Sequence, residues 1–452
     1  MRTIEDHTQA LATARTTSRA IVEACLARID DEAGEGGRAF VAVYHQAARD
    51  SADAIDALRR ARRTPSRYAG IPISLKDLLD VAGEPTAAGS RALADAPPAA
   101  AHAPVVARLL AAGFVPVGRT NMAEFAFSGL GLNPHFGTPR APWERAVAGG
   151  RIPGGSSSGA AVSVADGMAL GAIGTDTGGS TRIPAAFCGV TGYKPTARRV
   201  PIAGVLPLSP SLDSVGPLAP SVACCAILDA VLAGEAPAIP VPVTLAGLRL
   251  AVPETLLANG VDAAVTAAFA RALRRIEAAG ARIIPLAVPE FDAVYQATAA
   301  GGLTAAEAFA WHRTLLGEKG ALYDPAIRFR IERGAAISAA DYLDVVATRR
   351  RLIAAFDRRT QDCDAMVLPT APILPARIAD LTTQHEYNRV NLLALRHTTL
   401  INFLDRCALS LPCHRIGDAP VGLMLVGETM GDTRLFAIGV AVEAAIRSLR
   451  GG

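Results

Sequence analysis

The chain has 452 residues, of which 50% are hydrophobic and 19% are charged. This composition excludes a chain that stays disordered, because enough apolar surface is present to form a packed core. The net charge is only +3, and the short arginine run at 59–63 lies beside alanines and acids, so we expect no nucleic-acid or membrane surface. Residues 1–10 lack the features of an export signal, and no apolar stretch is long enough to span a bilayer. We therefore expect a soluble, cytoplasmic protein.

The seven cysteines are scattered along the chain, and none of them forms a C-x-x-C pair. An odd number with this spacing fits neither a disulfide framework nor a zinc site. We interpret the cysteines as reduced core residues.

Hydrophobic periodicity predicts helices and strands that alternate along the chain. An amphipathic helix is expected at 19–31, with Ser18 as its cap. The apolar residues that recur there at helical spacing are Ile21, Val22, Cys25, Leu26 and Ile29. Short apolar runs with flanking turn residues predict buried strands at 71–75, 114–117 and 169–175.

The clearest βαβ unit lies in the second half of the chain. Its strands are expected at 248–252 and 282–286, around a helix that opens at Asp262 and ends at Gly280. The carboxyl-terminal elements are strands at 365–368, 408–411 and 421–426, and a final helix from Thr433. The turn signal at 417–418 favours pairing of the strands at 408–411 and 421–426, which flank it.

This alternation predicts an α/β fold with one central mixed, twisted β-sheet and helices on both faces. We expect a single large domain over residues 1–452. The proline-rich segment at 236–243 is the one place where a domain boundary would be suspected.

Two loops combine glycines with serines, at 153–159 (PGGSSSG) and 174–180 (GTDTGGS). Glycine lets the backbone approach a ligand closely, so such a turn can direct several N–H groups at one point and stabilise an oxyanion. Taken singly, each loop also fits a flexible surface segment. The phosphate-binding patterns G-x-x-x-x-G-K-[ST] and G-x-G-x-x-G are absent, which argues against nucleotide binding.

A serine nucleophile needs a positioned base to take its proton. The nearest upstream histidines are His102 and His135, but no G-x-S-x-G motif accompanies them. Lys76 is the stronger candidate, because it ends a predicted buried strand and burial lowers the pKa of a lysine. The alternative is a surface lysine, or one paired with Asp77 or Asp80.

Taken together, these segments resemble the amidase signature family. Ser180 follows Ser156 by 24 positions, which is the spacing in that family. The matching segments are 75–77, 118–125, 153–159, 174–189 and 192–196, within a region of firm likeness from about Gly70 to Val215. The resemblance implies the amidase signature fold, with a catalytic core at about 65–220 and a helical region at about 290–360 as a candidate lining for the substrate site.

The resemblance also implies a catalytic trio. Ser180 would attack the amide carbonyl, Ser156 would relay the proton from a cis peptide after Gly155, and Lys76 would be the terminal base. Backbone N–H groups would form the oxyanion hole, namely those of Thr177, Gly178, Gly179 and Ser180. No metal and no cofactor is required.

Supporting roles are implied for residues next to the two loops. Ser157 would hydrogen-bond within the relay, and Asp176 and Arg182 would brace the nucleophile loop as a buried pair, the alternative being ordinary surface charges. Cys188 is interpreted as core packing.

The substrate site is the least determined part. By resemblance, Phe127, Ser128 and Gly129 line the acyl pocket, where an aromatic ring suggests an apolar or aryl group; the alternative places Phe127 in the core. His312 and Arg313 are candidates for meeting a polar substrate, against the alternative of a solvated helix face.

The function implied is hydrolysis of a small-molecule carboxylic amide to the carboxylate and ammonia or amine, through a serine acyl-enzyme. One alternative is the glutaminase subunit of a tRNA-dependent amidotransferase, which requires partner chains. Another is a catalytically silent binding subunit, although the intact trio argues against it. A homodimer is left open.

Overall fold

The computed structural model describes residues 2–147, 149–257 and 260–450. Within them, eleven strands form one continuous sheet in the order β1-β3-β2-β4-β6-β5-β10-β11-β9-β7-β8. The strands are β1 (Phe40–Val43), β2 (Pro72–Lys76), β3 (Val115–Thr120), β4 (Ala172–Thr175), β5 (Thr191–Lys194), β6 (Val215–Ala219), β7 (Arg249–Pro253), β8 (Arg282–Leu286), β9 (Ala365–Pro369), β10 (Ala408–Pro412) and β11 (Gly422–Val426).

Helices connect these strands and flank the sheet. They are α1 (Ile4–Ala12), α2 (Ser18–Ile29), α3 (Gly36–Ala39), α4 (His45–Arg60), α5 (Pro104–Ala111), α6 (Ser158–Ala165), α7 (Arg182–Cys188), α8 (Val222–Ala233), α9 (Glu254–Leu257), α10 (Ala263–Ala278), α11 (Glu290–Thr298), α12 (Gly302–Lys319), α13 (Pro325–Glu332), α14 (Ala339–Thr360), α15 (Gln384–Leu395), α16 (Thr398–Phe403) and α17 (Asp432–Ile446). Over the described ranges, none of them combines the length and the apolar character needed to cross a bilayer.

The sheet is mixed, as the sequence predicts. β2 runs parallel to both β3 and β4, and β7 runs parallel to both β8 and β9, whereas β10 is antiparallel to β5 and β11. Along β11, Leu423 and Leu425 pack into one core cluster, while Met424 and Val426 pack into another. Because successive side chains of a strand point to opposite faces, both faces of the sheet are covered.

The predicted elements are present with small shifts at their ends. The five apolar residues of α2 are buried as predicted, but its cap is Thr17, whose hydroxyl accepts a 3.1 Å hydrogen bond from the Ala20 N–H. Ser18 is instead the first helical residue, and its N–H donates to Asp56. The βαβ unit is confirmed as β7, α10 and β8, with Gly280 at a φ of 99° after the helix.

Strands β1, β5 and β6 were not predicted from the sequence. β5 and β6 contain glycines, and β6 also contains a proline, so their apolar runs are interrupted, whereas β1 is a four-residue apolar run that the sequence reading missed. The suspected boundary at 236–243 does not divide the fold, because strands from both sides of it belong to the same sheet.

Candidate active site

Lys76 is the last residue of β2 and is fully buried. Because β2 and β4 are parallel neighbours, their carboxyl ends lie at the same edge of the sheet. This arrangement places Thr175, the last residue of β4, beside the lysine. The Lys76 Nζ donates one hydrogen bond of 2.7 Å to Thr175 Oγ1 and another of 2.7 Å to Ser156 Oγ. The sheet thus holds the amine against a hydroxyl of the first glycine-serine loop.

The environment of Lys76 favours its neutral form. Burial lowers the pKa of the amine to about 7, although the carboxylates of Asp176 and Asp213 oppose this shift. A substantial fraction of the amine is therefore unprotonated at neutral pH and able to accept a proton.

The acids next to Lys76 in the sequence are engaged elsewhere. Asp77 forms an ion pair with Arg119, with 2.7 Å between Oδ1 and Nε, and Asp80 accepts a 2.6 Å hydrogen bond from the Thr86 hydroxyl. The alternative that Lys76 is a surface lysine, or one paired with either acid, is therefore wrong.

The first glycine-serine loop, at 153–159, contains a glycine with no space for a side chain. A β-carbon at Gly155 would lie 2.5 Å from the Gly131 nitrogen, so the position admits no larger residue. The Gly155 N–H donates a 2.8 Å hydrogen bond to the Gly129 carbonyl. The following peptide bond, from Gly155 to Ser156, is cis, and Ser156 is fully buried. This is the conformation that the family resemblance implies.

The second loop is folded around the carboxylate of Asp176. Its oxygens accept hydrogen bonds from the N–H groups of Gly179, at 2.8 Å, and Thr181, at 3.1 Å. The Thr181 hydroxyl, at 2.9 Å, and the side chains of Asn402, at 2.9 Å, and Arg182, at 2.9 and 3.0 Å, also donate to it. A single buried acid therefore sets the course of the backbone on both sides of Ser180.

Asp176 and Arg182 form a buried ion pair, since neither side chain is exposed. Burial alone would raise the pKa of Asp176, but the guanidinium of Arg182 holds it below its usual range. Arg182 also donates to the Asn402 side chain at 2.6 Å and to the Thr398 carbonyl at 3.2 Å. The two side chains therefore form a buried ion pair next to Ser180, and the alternative of ordinary surface charges is wrong.

The N–H groups of the second loop differ in their availability. That of Gly179 is bound to Asp176, whereas those of Thr177, Gly178 and Ser180 have no acceptor within the described parts of the chain. Ser157 Oγ donates to the Thr175 carbonyl at 3.3 Å, so its side chain contacts the end of β4 and not the Ser156 hydroxyl.

Ser180 opens onto a cavity of about 790 Å³. Phe127 and Ser128 line the same cavity, as do Thr177 and Gly178. Gly129 is also expected to line the pocket, but it does not; its N–H donates a 2.8 Å hydrogen bond to Asn391, which is likewise outside the lining. Of the predicted trio, Ser180 contributes to the lining, and Lys76 and Ser156 are buried outside it.

Ala126, Leu208 and Leu212 also line the cavity, and the rest of the lining comes from later, mostly helical segments of the chain. One part falls in the predicted helical region at 290–360, and another comes from 389–403, which sequence reasoning missed. These lining residues are Val294, Tyr295, Thr298, Ala299, Gly301, Leu303, Thr304, Ala305, Arg330, Arg333, Arg389, Leu392, Leu393, Leu395, Arg396, Thr399 and Phe403. Arginines set among apolar residues in α13 and α15 were the only signal that the sequence offered for this side of the site.

The other candidates lie outside the cavity. His312 is fully buried and hydrogen-bonds the Tyr323 hydroxyl at 2.9 Å, while Arg313 is exposed, so neither meets a ligand there. His135 contacts Glu124 at 2.9 Å, and His102 accepts from the Ala82 N–H. Both histidines have structural partners.

The residues in 2–147, 149–257 and 260–450 bring together no cluster of three His, Cys, Asp or Glu side chains that would hold a metal. Cys188 is buried and burial raises its pKa, so it remains a thiol at neutral pH.

Comparison with known proteins identifies the family. The family model described as Amidase matches residues 20–436. The chain belongs to the amidase family. It is accordingly a hydrolase that acts on carbon–nitrogen amide bonds.

Relatives of this amidase extend over nearly the whole chain. A 2-amino-5-chloromuconic acid deaminase from Comamonas testosteroni is 39% identical over 88% of this chain and 86% of its own. A glutamyl-tRNA(Gln) amidotransferase subunit from Chloroflexus aggregans is 33% identical over 96% of this chain and 94% of its own. The crystal structure of an amidase superposes with a TM-score of 0.88 at 33% identity, covering 98% of this chain and 100% of the other. The fold is therefore the amidase signature fold.

Proposed function

We propose that this amidase hydrolyses a small carboxylic amide through an acyl-enzyme on Ser180, with Ser156 as the proton relay and Lys76 as the base. The observation that carries the proposal is the 2.7 Å contact between Lys76 Nζ and Ser156 Oγ, made by an amine whose pKa is lowered to about 7. Ser180 supplies the one hydroxyl of this trio that lines the cavity.

In the first half-reaction, Ser180 Oγ attacks the amide carbonyl carbon and a new C–O bond forms. Its proton passes to Ser156 Oγ, whose own proton passes to the neutral Lys76 Nζ. The relay then returns a proton to the amide nitrogen, the C–N bond breaks, and ammonia or an amine leaves.

In the second half-reaction, water attacks the ester carbonyl of the acyl-enzyme. The same relay takes a proton from the water and returns one to Ser180 Oγ as the C–O bond to the enzyme breaks. The products are the carboxylate, a proton and the regenerated enzyme, so each amide bond consumes one water.

The charge that develops on the carbonyl oxygen needs donors on the cavity side of Ser180. We assign this role to the free N–H groups of Thr177, Gly178 and Ser180. Gly179 was included in the predicted oxyanion hole, but its N–H already donates to Asp176. Each donor of this type contributes about a hundredfold or more to the rate.

Phe127 and Ser128 form the near side of the acyl pocket in this proposal. The Ser128 hydroxyl accepts a 2.7 Å hydrogen bond from Tyr387 and donates one of 3.2 Å to Asn391. Gly129 binds the same Asn391 side chain through its N–H. These hydrogen bonds tie Ser128 and Gly129 to α15.

The second candidate is a glutaminase subunit that passes ammonia to a partner. It is favoured by the likeness to the Chloroflexus aggregans amidotransferase subunit over 96% of the chain. A stand-alone amidase and such a subunit share the same chemistry, and they differ in whether small amides other than glutamine are turned over without a partner.

Ammonia release from a panel of amides tests the proposal. The panel contains aliphatic, aryl and dicarboxylic amides and glutamine; it is run beside 2-amino-5-chloromuconic acid, the compound in the name of one relative, which carries a vinylic amine and no amide. Turnover of a small amide that is lost in Ser180→Ala supports the stand-alone amidase. Turnover of glutamine alone supports the amidotransferase role, and ammonia release that persists in Ser180→Ala contradicts the assigned nucleophile. Light scattering of the purified protein tests the homodimer.

A further inference from the structure

The charged side chains that line the cavity next to Ser180 are all positive among the described residues. Four arginines line it, whereas no aspartate or glutamate does so in the part of the chain that the structure describes. The four are Arg330, Arg333, Arg389 and Arg396. The remaining lining is mostly apolar, so the field of these cations is weakly screened by protein dipoles.

Arg330 differs from the other three in its partners. Arg389 forms an ion pair with Glu386 at 2.9 Å, Arg396 donates to the Leu256 carbonyl at 3.3 Å, and Arg333 donates to the Ala299 carbonyl at 3.3 Å. The Arg330 guanidinium has no hydrogen bond or ion pair to any described residue, and its Nε is buried without a partner.

The contact that Arg330 does make places it at the acyl pocket. Its guanidinium carbon lies 4.8 Å from the centre of the Phe127 ring. A cation–π contact of this kind uses none of the guanidinium N–H groups, so they remain available as donors. Since Phe127 and Ser180 line the same cavity, one ligand is able to reach both the nucleophile and the guanidinium.

An unpaired guanidinium in this position destabilises the empty site. Burial lowers the pKa of the half-buried Arg330, because removal from water disfavours the charged guanidinium. A ligand anion removes this cost and gains charge-assisted hydrogen bonds, and a carboxylate matches the two parallel donors of an arginine. A neutral ligand would leave the charge uncompensated.

We propose that the substrate is an amide that also carries a carboxylate away from the scissile bond, and that Arg330 binds this carboxylate. The inference rests on the proposed amidase function of Ser180 and deepens it. Arg333, which follows about one turn later on the same wall, adds a second positive charge to the subsite.

The test compares amides that differ only by the carboxylate. Each pair sets a monoamide acid against the amide with a methyl group in place of the carboxylate: succinamate and butanamide, glutaramate and pentanamide, adipamate and hexanamide, 4-carbamoylbenzoate and 4-methylbenzamide. For at least one pair, we expect the wild-type kcat/KM to favour the acid by about 10- to 100-fold, as for a charged hydrogen bond.

Two substitutions of Arg330 make the test specific. Arg330→Gln should bring the ratio of acid to neutral kcat/KM close to 1, and Arg330→Lys should retain part of it. The matched control is Arg328→Gln, because Arg328 is exposed, pairs with Glu332 and does not line the cavity. The ratio within one variant is independent of how much protein is folded.

Binding to Ser180→Ala separates this inference from the proposed function. Calorimetric titration of the same pairs into Ser180→Ala, and into Ser180→Ala with Arg330→Gln, measures the carboxylate preference without turnover. The inference is supported if an acid binds more tightly than its neutral partner to Ser180→Ala and this preference is lost when Arg330→Gln is added. The inference is overturned if the acid and its neutral partner have equal dissociation constants in every pair, or if neither member of any pair binds. This holds even when Ser180-dependent amide hydrolysis is observed.

Discussion

Two arginines of this amidase have opposite surroundings. Arg182 is fully buried and enclosed by Asp176, Asn402 and the Thr398 carbonyl, so its donors are used within the protein. Arg330 lies at the cavity against the Phe127 ring and has no hydrogen bond to a described residue.

The difference separates positioning from recognition. A buried charge that is fully paired stabilises one backbone conformation, here the loop that carries Ser180. A poorly solvated charge that is left unpaired reserves its donors for a ligand at a cost in stability. The loop around Ser180 is therefore complete without substrate, whereas the Arg330 guanidinium beside Phe127 is left for the substrate to pair.

The largest effect on the rate should come from a substitution in the loop at 174–180. Ser180→Ala removes the nucleophile, and we expect kcat to fall by at least about a thousandfold while the fold is retained. Ammonia release on the preferred amide measures the change. Ser51→Ala, on the exposed face of α4, is the control and should keep the wild-type rate.

Lys76→Ala should reduce the rate by about 10²- to 10⁴-fold, because it removes the base that takes the relayed proton. In the wild type, the pKa of about 7 makes kcat/KM rise with pH up to that value and level off above it, as the amine becomes neutral. The variant should lose this dependence. Lys319→Ala changes a partly exposed lysine that pairs with Asp95, and it should preserve the profile; an unchanged profile in Lys76→Ala would contradict the assigned base.

Stability measurements on the two arginines address the comparison directly. Arg182→Met leaves the Asp176 carboxylate buried and uncompensated, at a cost of about 3–5 kcal/mol in the free energy of unfolding. Arg330→Met removes an unpaired charge, so it should cost less than about 1 kcal/mol or stabilise the protein. Thermal midpoints of both variants give the ranking. Equal losses would mean that Arg330 is held by the protein as firmly as Arg182.

Thr175→Val should have the smallest effect. Its hydroxyl accepts a hydrogen bond from Lys76, which favours the charged amine, so its loss lowers the pKa of the lysine further. We expect the acid limb of the pH–rate profile to shift to lower pH by about one pH unit or less, which corresponds to about 1.4 kcal/mol or less. A limb that moves to higher pH would show that the hydroxyl favours the neutral amine instead.

Much of the fold was predictable because its signals are local. The helix at α2, the βαβ unit from β7 to β8 and the β10–β11 pair all carry hydrophobic periodicity or turn residues within a short window. Strands β5 and β6 lack such runs and form because neighbouring strands supply their hydrogen bonds. The cap of α2 was misplaced by one residue, because Thr17 and Ser18 both suit that position.

The sequence by itself determined the chemistry of the loops: the glycines that permit crowded backbone, the serines at their spacing, and a lysine at a strand end. The availability of each group was decided by the tertiary structure. It buried Lys76 and lowered its pKa, used the Gly179 N–H for Asp176, and brought Arg330 from a distant helix to Phe127 without a partner acid. These outcomes depend on contacts between segments far apart in the chain, and such contacts leave no periodic pattern in the sequence.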